Sequence, residues 1–492
     1  MAAIQIENLH FCYPGNYDDV FENLNLSLDT SWKLGIIGRN GRGKTTLLRL
    51  LTGEYAYAGR IVAPVRFAYF PCPVPDPGMD GWQNLRMLCP EVEDWEIERE
   101  LSHLGMDADA LSQPFAHLSG GERTRALLAA LFLSEDCFPL IDEPTNHLDS
   151  AGRKLVACYL KRKRGFILAS HDRAFLDGCV DHILSFNRDS VELQSGNYSS
   201  WRQNFERREA HEASRDAQLR REIGQMKTAA RRAAEWSDNL ERSKTGTRIA
   251  GLHPDRGHIG HNAAKMMQRS KAIEARREQA IAEKSALLRD AEEVEALKLH
   301  PLVHRATRLV ELRDVRIRYA DRDICGPIDL EVKKGERTAL DGPNGCGKSS
   351  LLKLILGLEV PHSGTAAHSS GLITSYVSQE STHLRGSLAG FERGRGADPT
   401  LLRAILRKLG FSRAQFEKDL SELSAGQRKK LLIAASICDR AHLYIWDEPL
   451  NYIDLDARIQ IEELIRLYSP TMIFVEHDSA FRNAVATRIF TL

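Results

Sequence analysis

The chain has 492 residues, enough for two or three domains, and 42% apolar with 27% charged residues is a globular balance. Lysine plus arginine equals aspartate plus glutamate, at 67 each, so the overall charge indicates no partner and any polyanion site must be local. Apolar stretches are far shorter than a membrane span, and the start MAAIQIENLHF lacks the regions of a secretion signal. Nine scattered cysteines without a Cys-x-x-Cys pair favour reduced thiols, and we expect a cytoplasmic protein.

Four motifs follow one another in the first half, for which we predict the bounds 1–198. GRNGRGKT (38–45) lies between a short apolar strand and an apolar helix, the setting of a phosphate-binding P-loop. LSGGE (118–122) precedes a basic helix, PLIDEPTNHLD ends at Asp149, and ILASHD ends at Asp172. Together they predict an α/β ATPase domain.

A charged segment, residues 199–300, comes next. It is rich in good helix formers, and intermittent apolar positions predict one helix over about 201–240 and a second over about 263–297. Each would be roughly 50–60 Å long. The stretch between them contains several glycines and a proline, which break helices. We predict an antiparallel helical hairpin with a sizeable tip, and a disordered charged linker is the alternative.

The second half, residues 301–492, repeats the four motifs in the same order. GPNGCGKS (342–349), LSAGQ (423–427), LYIWDEPLNYID (ending at Asp454) and IFVEHD (ending at Asp478) lie 304–306 residues after their counterparts. A near-constant shift indicates duplication. The sequence therefore predicts an α/β protein with two tandem P-loop ATPase domains joined by a helical hairpin.

Each P-loop predicts one ATP site. Glycines let the backbone bend around the phosphates, the lysine reaches the outer phosphates, and the hydroxyl that follows holds Mg²⁺. The predicted nucleotide-binding residues of the loops are Gly38, Asn40, Gly41, Gly43, Lys44, Thr45, Thr46, Gly342, Asn344, Gly345, Gly347, Lys348, Ser349 and Ser350.

An Asp-Glu pair ends a hydrophobic strand in each half. We expect Asp142 and Asp447 to bind Mg²⁺ together with the P-loop hydroxyls of Thr45 and Ser349. Glu143 and Glu448 sit one residue further along, where a carboxylate can polarise the attacking water.

A histidine and a tyrosine also recur in both halves. His171 and His477 lie 28 and 29 residues after the glutamates, and a repeated His-Asp pair at the end of an apolar strand favours contact with the γ-phosphate over a structural role. Tyr13 and Tyr319 lie about 30 residues before the P-loop lysines. They would stack on adenine or belong to the core, and the sequence leaves both open.

The LSGGE and LSAGQ segments distinguish the ABC class from other P-loop ATPases. Serine and glycine before a basic helix make an anion-seeking helix N-terminus, which docks on nucleotide held by the other domain. Two composite sites follow. The first P-loop would face Ser424 and Gly426, and the second P-loop would face Ser119 and Gly121.

The two halves differ at three motif positions. Gln379 fits the glutamine loop that senses Mg²⁺, whereas Cys72 stands at the matching position of the first half and puts a metal contact there in doubt. Ala425 and Leu450 also break the symmetry. These differences do not indicate which site dominates.

Two ABC domains around a charged helical hairpin resemble the ABC-F family of translation-associated ATPases, and the resemblance covers nearly the whole chain. IIGRNGRGKTT, DEPTNHLD, GLHPDRGHIGHNAAKMMQRSKA and YIWDEPLNYID are similar to the Lsa-type antibiotic-resistance branch. The motif spacing leaves no room for the extra helical arm that many housekeeping members carry in the first domain, which suits that branch.

The resemblance implies a monomer that pairs its own ATPase domains and binds the bacterial ribosome in the ATP-bound state. Its partners would be large-subunit rRNA and P-site tRNA, with no membrane. It would enter the tRNA exit site, push the hairpin tip toward the peptidyl transferase centre, and displace lincosamides, group A streptogramins or pleuromutilins. ATP hydrolysis would then release it.

The residues themselves give local support for an RNA partner. Residues 227–271 hold ten Lys or Arg against four Asp or Glu, a net charge of +6 in a neutral chain. Such a patch suits a phosphate backbone, and a solvated helix face is the alternative. The predicted RNA contacts are Arg242, Lys244, Arg248, Arg256 and Lys265.

Two other functions stay open. One is a translation factor that rescues stalled ribosomes without a role in drug relief. The other, from a different class, is a transport ATPase with a separate membrane partner. The absence of a membrane domain and the fusion of both halves in one chain weaken the second.

Overall fold

The computed structural model of the chain describes residues 3–14, 19–134, 137–187, 190–243, 297–319 and 322–492. They belong to two compact units. One unit joins Met1–Trp201 with Glu295–Leu492 and so contains both P-loop halves, and the other is Arg202–Val294. The predicted bounds at 198 and 301 lie within a few residues of the change between units, and they stay predictions.

The first half alternates short strands and helices. Its strands are β1 Ala3–Cys12, β2 Asp19–Asp29, β3 Lys33–Gly38, β4 Ala58–Val62, β5 Arg66–Phe70, β6 Cys137–Asp142, β7 Phe166–Ala169, β8 His182–Phe186 and β9 Val191–Ser195. Its helices are α1 Lys44–Leu51, α2 Gly81–Leu88, α3 Asp94–His103, α4 Gly120–Leu133, α5 Ser150–Arg162 and α6 Arg173–Cys179. Short 3-10 turns cover Ala108–Ser112, Phe115–His117 and Pro144–His147.

A six-stranded sheet in the order β5-β6-β7-β3-β8-β9 forms the centre of the first half. All its pairs are parallel except β8 with β9. Strands that pair in parallel need crossover helices, and the carboxyl ends of β3, β6 and β7 therefore meet at one edge, where ligands of such sheets bind. A separate antiparallel sheet has the order β2-β1-β4.

A long helix, α7 Tyr198–Ser243, follows the first half and has 46 residues. The helix predicted over about 201–240 is therefore present. The second helix of the predicted hairpin and its tip lie outside the described residues. In the part of the chain that the structure describes, we find no helix with the length and apolar character needed to span a membrane.

The second half repeats the pattern of the first. Its strands are β10 Arg308–Tyr319, β11 Arg322–Lys333, β12 Arg337–Asp341, β13 His362–His368, β14 Thr374–Val377, β15 Leu443–Asp447, β16 Met472–Val475 and β17 Arg488–Thr491. Its helices are α8 Lys348–Ile355, α9 Leu388–Arg395, α10 Pro399–Lys408, α11 Ala425–Cys438, α12 Leu455–Tyr468 and α13 Ser479–Val485, with a 3-10 turn at Arg413–Phe416.

The parallel sheet of this half has the order β14-β15-β16-β12-β17, which matches β5-β6-β7-β3-β8 strand for strand. Its antiparallel sheet, β11-β10-β13, matches β2-β1-β4. The duplication predicted from the motif shift is thus a duplication of topology, and the predicted α/β class with two tandem P-loop domains is confirmed.

The central strands are apolar because helices cover both of their faces. Every residue of β7 and of β16 is buried. Helices α3 and α5 of the first half are joined by a buried polar contact. Tyr159 donates a 2.6 Å hydrogen bond to Glu100, and Lys163 also bonds this carboxylate while its ammonium lies over the Tyr159 ring. The Glu100 side chain is only 7% exposed, so its charge needs both partners.

Candidate functional site

Both P-loops lie at the carboxyl edge of their sheets. The glycine before each lysine, Gly43 with φ 90° and Gly347 with φ 93°, is in the left-handed region that a side chain disfavours. Helix α1 begins at Lys44 and α8 at Lys348. Lys44 Nζ donates to Gly38 O at 2.6 Å, and Lys348 Nζ donates to the matching carbonyl at 2.8 Å. Each ammonium is therefore held inside its loop at a helix N-terminus, where phosphate binds.

The predicted metal ligands are brought together in each half. Thr45 Oγ1 donates to Asp142 Oδ2 at 2.7 Å, and Tyr69 OH donates to the same oxygen at 2.9 Å. Burial raises the pKa of Asp447 to about 6, although the neighbouring Ser349 hydroxyl acts in the opposite direction. A hydroxyl beside a carboxylate is an oxygen donor set that Mg²⁺ prefers.

The predicted catalytic glutamates follow these aspartates in a strained backbone. Glu143 has φ 48° and Glu448 has φ 45°, a conformation that costs a residue other than glycine about 1–3 kcal/mol and is typical of active sites. The amide of Glu143 donates to Ala169 O at 2.9 Å, and that of Glu448 donates to Val475 O at 3.0 Å. The neighbouring strand in each sheet thus fixes the position of the glutamate.

The two glutamates differ in their electrostatics. Burial and the charge of Asp142 raise the pKa of Glu143 to about 8. Burial also acts to raise the pKa of Glu448, but contacts with His477 and Gln379 and the nearby charge of Lys429 leave it below its ordinary value. At neutral pH, Glu448 is ready to accept a proton and Glu143 is largely protonated.

The histidines lie beside the glutamates. His171 Nε2 is 3.4 Å from Glu143 Oε1, and His477 Nε2 is 3.6 Å from Glu448 Oε1. Both rings are almost fully buried. Burial, reinforced by the charge of Lys44, holds the pKa of His171 well below its ordinary value, so this ring is neutral.

Several buried polar atoms of the two sites have no hydrogen-bond partner among the described residues. They are Glu143 Oε1, Asp447 Oδ1, His171 Nδ1 and both ring nitrogens of His477. Buried polar groups without partners are rare in folded proteins unless a ligand or ion completes them. The residues present therefore fit ATP and Mg²⁺.

The serines of the LSGGE and LSAGQ segments cap helices. Ser119 caps α4 and exchanges hydrogen bonds with Glu122, and Ser424 caps α11 and exchanges them with Gln427. The sequence pattern Ser-x-x-Glu/Gln is the signature of this capping box. The last residue of each motif thus orients the serine rather than the nucleotide.

The predicted first site comprises the P-loop of Lys44 and the segment from Ser424 to Gly426. Asn40 of this P-loop contacts the second half. Its Nδ2 donates to Tyr452 O of the second half at 2.9 Å, and its Oδ1 lies 3.0 Å from His171 Nε2. A Cβ on Gly426 would lie 2.4 Å from Tyr452 O and 3.2 Å from Asn40 Nδ2. The second half therefore reaches the first P-loop, which a composite site would require.

The predicted second site comprises the P-loop of Lys348 and the segment from Ser119 to Gly121. Asn344 Nδ2 donates to His147 O of the first half at 3.3 Å. A cavity of about 720 Å³ lies between the halves here. Lys348, Gln379 and Glu448 line it from the second half, and Gly120 lines it from the first.

The glutamine-loop positions differ as their sequences do. Gln379 lines the cavity of the second site, whereas burial raises the pKa of Cys72 in the first half and keeps it a thiol. A protonated thiol is a poor ligand for Mg²⁺. The hydroxyl of Tyr69 contacts Asp142 there instead.

The two tyrosines for which the sequence leaves adenine stacking and a core position open are placed differently. Tyr13 packs edge-on against Phe11 at 5.0 Å, and its hydroxyl lies 2.7 Å from Thr46 Oγ1. Tyr319 is 42% exposed and lines the cavity of the second site, with its hydroxyl 3.4 Å from Ser350 Oγ. The geometry leaves an open ring face at Tyr319 and a mainly structural environment for Tyr13.

The predicted RNA contacts are not covered by the structure. Lys244, Arg248, Arg256 and Lys265 lie outside the described residues, and Arg242 lies in α7, at a position where the side chain is not described.

The sequence prediction also missed residues that bear on the sites. The sequence predicts a basic helix here, whereas its residues Lys429 and Lys430 are only 2% and 5% exposed. Lys430 bonds the buried carboxylate of Asp454, and Arg173 of the first half pairs with Glu462 of the second at 2.8 Å. The sequence contains one signal for these lysines. RKK follows LSAGQ, whereas RTR follows LSGGE, so the two halves differ at these positions.

Known proteins match this architecture. The family model described as ABC transporter matches residues 21–146 and 325–451, just over half of the chain. The ribosome protection protein VmlR of Bacillus subtilis is 29% identical over 94% of this chain and 82% of its own length. The energy-dependent translational throttle protein EttA of Escherichia coli K12 is 27% identical over 96% of this chain and 88% of its own length.

The fold also matches solved structures. The chain in a complex of archaeal ribosomal stalk protein aP1 and the archaeal ribosome recycling factor aABCE1 has a TM-score of 0.63 and 20% identity, over 98% of this chain and 87% of that one. At this identity the likeness shows the tandem fold alone.

Proposed function

Because the chain belongs to the ABC transporter family and is an ATPase with ATP and Mg²⁺ as cofactors, we propose that it is a ribosome-binding factor of the ABC-F type. It enters the tRNA exit site and uses residues 199–300 to displace antibiotics from the peptidyl transferase centre. The drugs are of the lincosamide, streptogramin A and pleuromutilin type, as in the Lsa-type branch. Hydrolysis of ATP drives its release.

One observation carries the proposal. A helix of 46 residues, roughly 70 Å long at 1.5 Å per residue, follows the first half, and its last residues, 227–243, form the start of the +6 segment. A long helix that leads into a basic segment suits entry into a cleft lined by phosphates. Two relatives, named as a ribosome protection protein and a translational throttle, support a ribosomal partner.

The residues of the two sites suggest how ATP controls the protein. Nucleotide on a P-loop would be completed by the serine segment of the other half, so ATP joins the halves. Thr45 with Asp142, and Ser349 with Asp447, would hold Mg²⁺, which when bound neutralises phosphate charge. Glu143 and Glu448 would orient water, and each would accept its proton when ionised, which for Glu143 requires a pH near or above its raised pKa. His171 and His477 would contact the γ-phosphate.

Co-sedimentation with ribosomes tests the partner. We expect the Glu143→Gln/Glu448→Gln variant to retain ATP and pellet with ribosomes, and to stay in the supernatant with ADP. The matched control adds Lys44→Ala and Lys348→Ala, which removes the phosphate contacts. If the Glu143→Gln/Glu448→Gln variant does not pellet with ribosomes in the presence of ATP, the ribosome is not the partner.

Drug susceptibility tests the proposed displacement of antibiotics. Expression of the parent chain in a sensitive bacterium should raise the inhibitory concentration of at least one of the three drug classes, and the Lys44→Ala/Lys348→Ala chain should not. A translation factor that relieves stalled ribosomes is the second candidate, favoured by the similarity to the translational throttle protein. Ribosome binding without any change in susceptibility would select it.

A further inference from the structure

Lys429 is a buried lysine of α11 in the second half. Its side chain is 2% exposed, and its Nζ donates three hydrogen bonds to backbone carbonyls. The acceptors are Ser378 O at 2.7 Å, Gln379 O at 3.2 Å and Asp447 O at 3.0 Å. A lysine ammonium has three N–H donors, so all of them are satisfied.

The three carbonyls belong to two different parts of the second site. Ser378 and Gln379 form the glutamine loop, and Asp447 ends the metal-binding strand β15. One ammonium therefore fixes the loop against the strand end, with α11 as the support. The side chain of Glu448, one residue after the strand, lines the same cavity as Gln379 and Lys429.

The surroundings of Lys429 are negatively charged. Asp447 and Glu476 are each 1–2% exposed, and the carboxylate of Glu476 accepts the amides of Leu450 at 3.1 Å and His477 at 2.8 Å. A buried carboxylate needs a compensating charge as well as hydrogen bonds. Lys429 supplies that charge.

The first half lacks this arrangement. Thr124 stands at the position of Lys429, and its hydroxyl donates within its own helix to Gly120 O at 2.9 Å. Ser170 stands at the position of Glu476, and Cys72 at that of Gln379. Lysine, glutamate and glutamine are therefore present together in the second half and replaced together in the first.

We propose that Lys429 is a positioning residue that holds the Gln379 loop in place and so sets the hydrolysis rate of the second site but not of the first. The inference rests on the ATPase activity and on the assignment of residues to the two sites. It does not depend on ribosome binding, and its test contains no ribosomes.

The position of α11 makes the proposal sharply testable. The same helix begins next to Ser424, which completes the first site across the interface. If Lys429 only stabilised α11, its loss would disturb Ser424 and slow the first site. If Lys429 positions the Gln379 loop, its loss slows the second site alone.

The experiment measures ATP hydrolysis by Lys429→Met in two backgrounds. Glu143→Gln leaves only the second site active, and Glu448→Gln leaves only the first. In the Glu143→Gln background we expect Lys429→Met to lower kcat on the order of tenfold or more, with KM for ATP changed by less than about threefold. In the Glu448→Gln background we expect kcat to stay within about twofold of the value for Glu448→Gln alone.

Three further measurements complete the test. Thr124→Val, at the matching position of the first half, should change kcat by less than about twofold in both backgrounds. Gln379→Ala combined with Lys429→Met should be no slower than Gln379→Ala alone, because both changes act on one loop. Lys429→Arg, which keeps the charge and its donors, should recover part of the rate.

Other outcomes would overturn the proposal. An equal loss of kcat in both backgrounds, or a loss confined to the first site, assigns Lys429 to the structure of α11. Additive effects of Gln379→Ala and Lys429→Met would exclude action through the loop. If Lys429→Met does not fold, Lys429→Arg decides in the same way, measured in both backgrounds, alone and combined with Gln379→Ala. Full activity of every folded Lys429 variant would also refute the role.

Discussion

Asn40 connects the two halves at the first site, and its replacement by alanine should loosen that site specifically. The side chain donates to Tyr452 O across the interface at 2.9 Å and lies 3.0 Å from His171 Nε2. Asn344, at the same motif position in the second half, makes a single cross-interface bond of 3.3 Å to His147 O. Asn344→Ala is therefore a control for the loss of asparagine from a P-loop.

The expected magnitudes follow from these contacts. A hydrogen bond contributes about 0.5–1.5 kcal/mol net, and Asn40 makes one across the interface, so Asn40→Ala should cost about 0.5–1.5 kcal/mol of closure. That corresponds to a loss of closed protein of roughly 2- to 13-fold. Asn344→Ala loses one longer and weaker bond, so its loss should lie at or below the lower end of that range, about twofold.

Retention of labelled ATP measures the difference. In the Glu143→Gln/Glu448→Gln background, both sites hold ATP, and its dissociation after a chase should show one phase for each site. We expect Asn40→Ala to speed one phase by the factor above and leave the other nearly unchanged. Equal acceleration by both alanine variants, or none by Asn40→Ala, would refute the assignment of Asn40 as the stronger connection.

Three more predictions concern groups in and around the sites. With Glu448→Gln, hydrolysis by the first site should rise with pH and level off above about pH 8, because Glu143 with its raised pKa is protonated below that value. With Glu143→Gln, the rate of hydrolysis by the second site should already be independent of pH near neutrality, because the pKa of Glu448 is lowered. Identical pH–rate profiles for the two sites would contradict both predictions. Arg173→Glu should speed ATP release from the double-glutamine background and Glu462→Arg should restore it in the same chain; no restoration would mean that the pair does not act as an ion pair. Glu100→Gln should lower the free energy of unfolding by about 2 kcal/mol at neutral pH, and the deficit should shrink in acid. Burial acts to raise the pKa of Glu100, but its lysine and tyrosine partners hold it below the ordinary value, so its stabilisation is lost as pH falls through that lowered pKa; a deficit independent of pH in thermal unfolding would exclude this reading.

The repeat carried most of the fold prediction. A shift of 304–306 residues between motifs predicted two copies of one α/β topology, and the sheets match strand for strand. The motifs also predicted strand ends near Lys44 and at Asp142 and Glu143. In the structure Asp142 is the last residue of β6, Glu143 follows it, and Lys44 begins α1 after the loop that follows β3. These residues lie near one edge because the carboxyl ends of neighbouring parallel strands meet.

The contacts between distant segments could not be predicted. Asn40 with Tyr452 and Arg173 with Glu462 join residues of different halves, and no local pattern encodes such partners. Lys429 was missed for another reason. In the sequence it is one of three basic residues at the start of a helix. Its burial depends on the Gln379 loop that packs against α11, which the sequence does not show.

The ion pairs between the halves are as unequal as the sites. Arg39 pairs with Asp456 at 3.0 Å and Arg173 with Glu462 at 2.8 Å, and both pairs join the first half to α12. The equivalent pairs from the second half to the first would be Pro343 with Ala151 and Ser479 with Ala157. None of these four residues carries a charge. The Arg39 pair is about half exposed and contributes little, whereas the Arg173 pair is only about 15% exposed and less screened by solvent.

The asymmetries act in the same direction. The first site has the stronger asparagine contact, the ion pairs, and a glutamate that is largely protonated at neutral pH. The second site has Gln379, Lys429 and a glutamate with a lowered pKa. A site that is held shut and hydrolyses slowly beside one that is less tightly closed and ready to hydrolyse implies an order of events. We expect ATP to be hydrolysed first at the second site, while the first keeps the halves together until its own hydrolysis releases them.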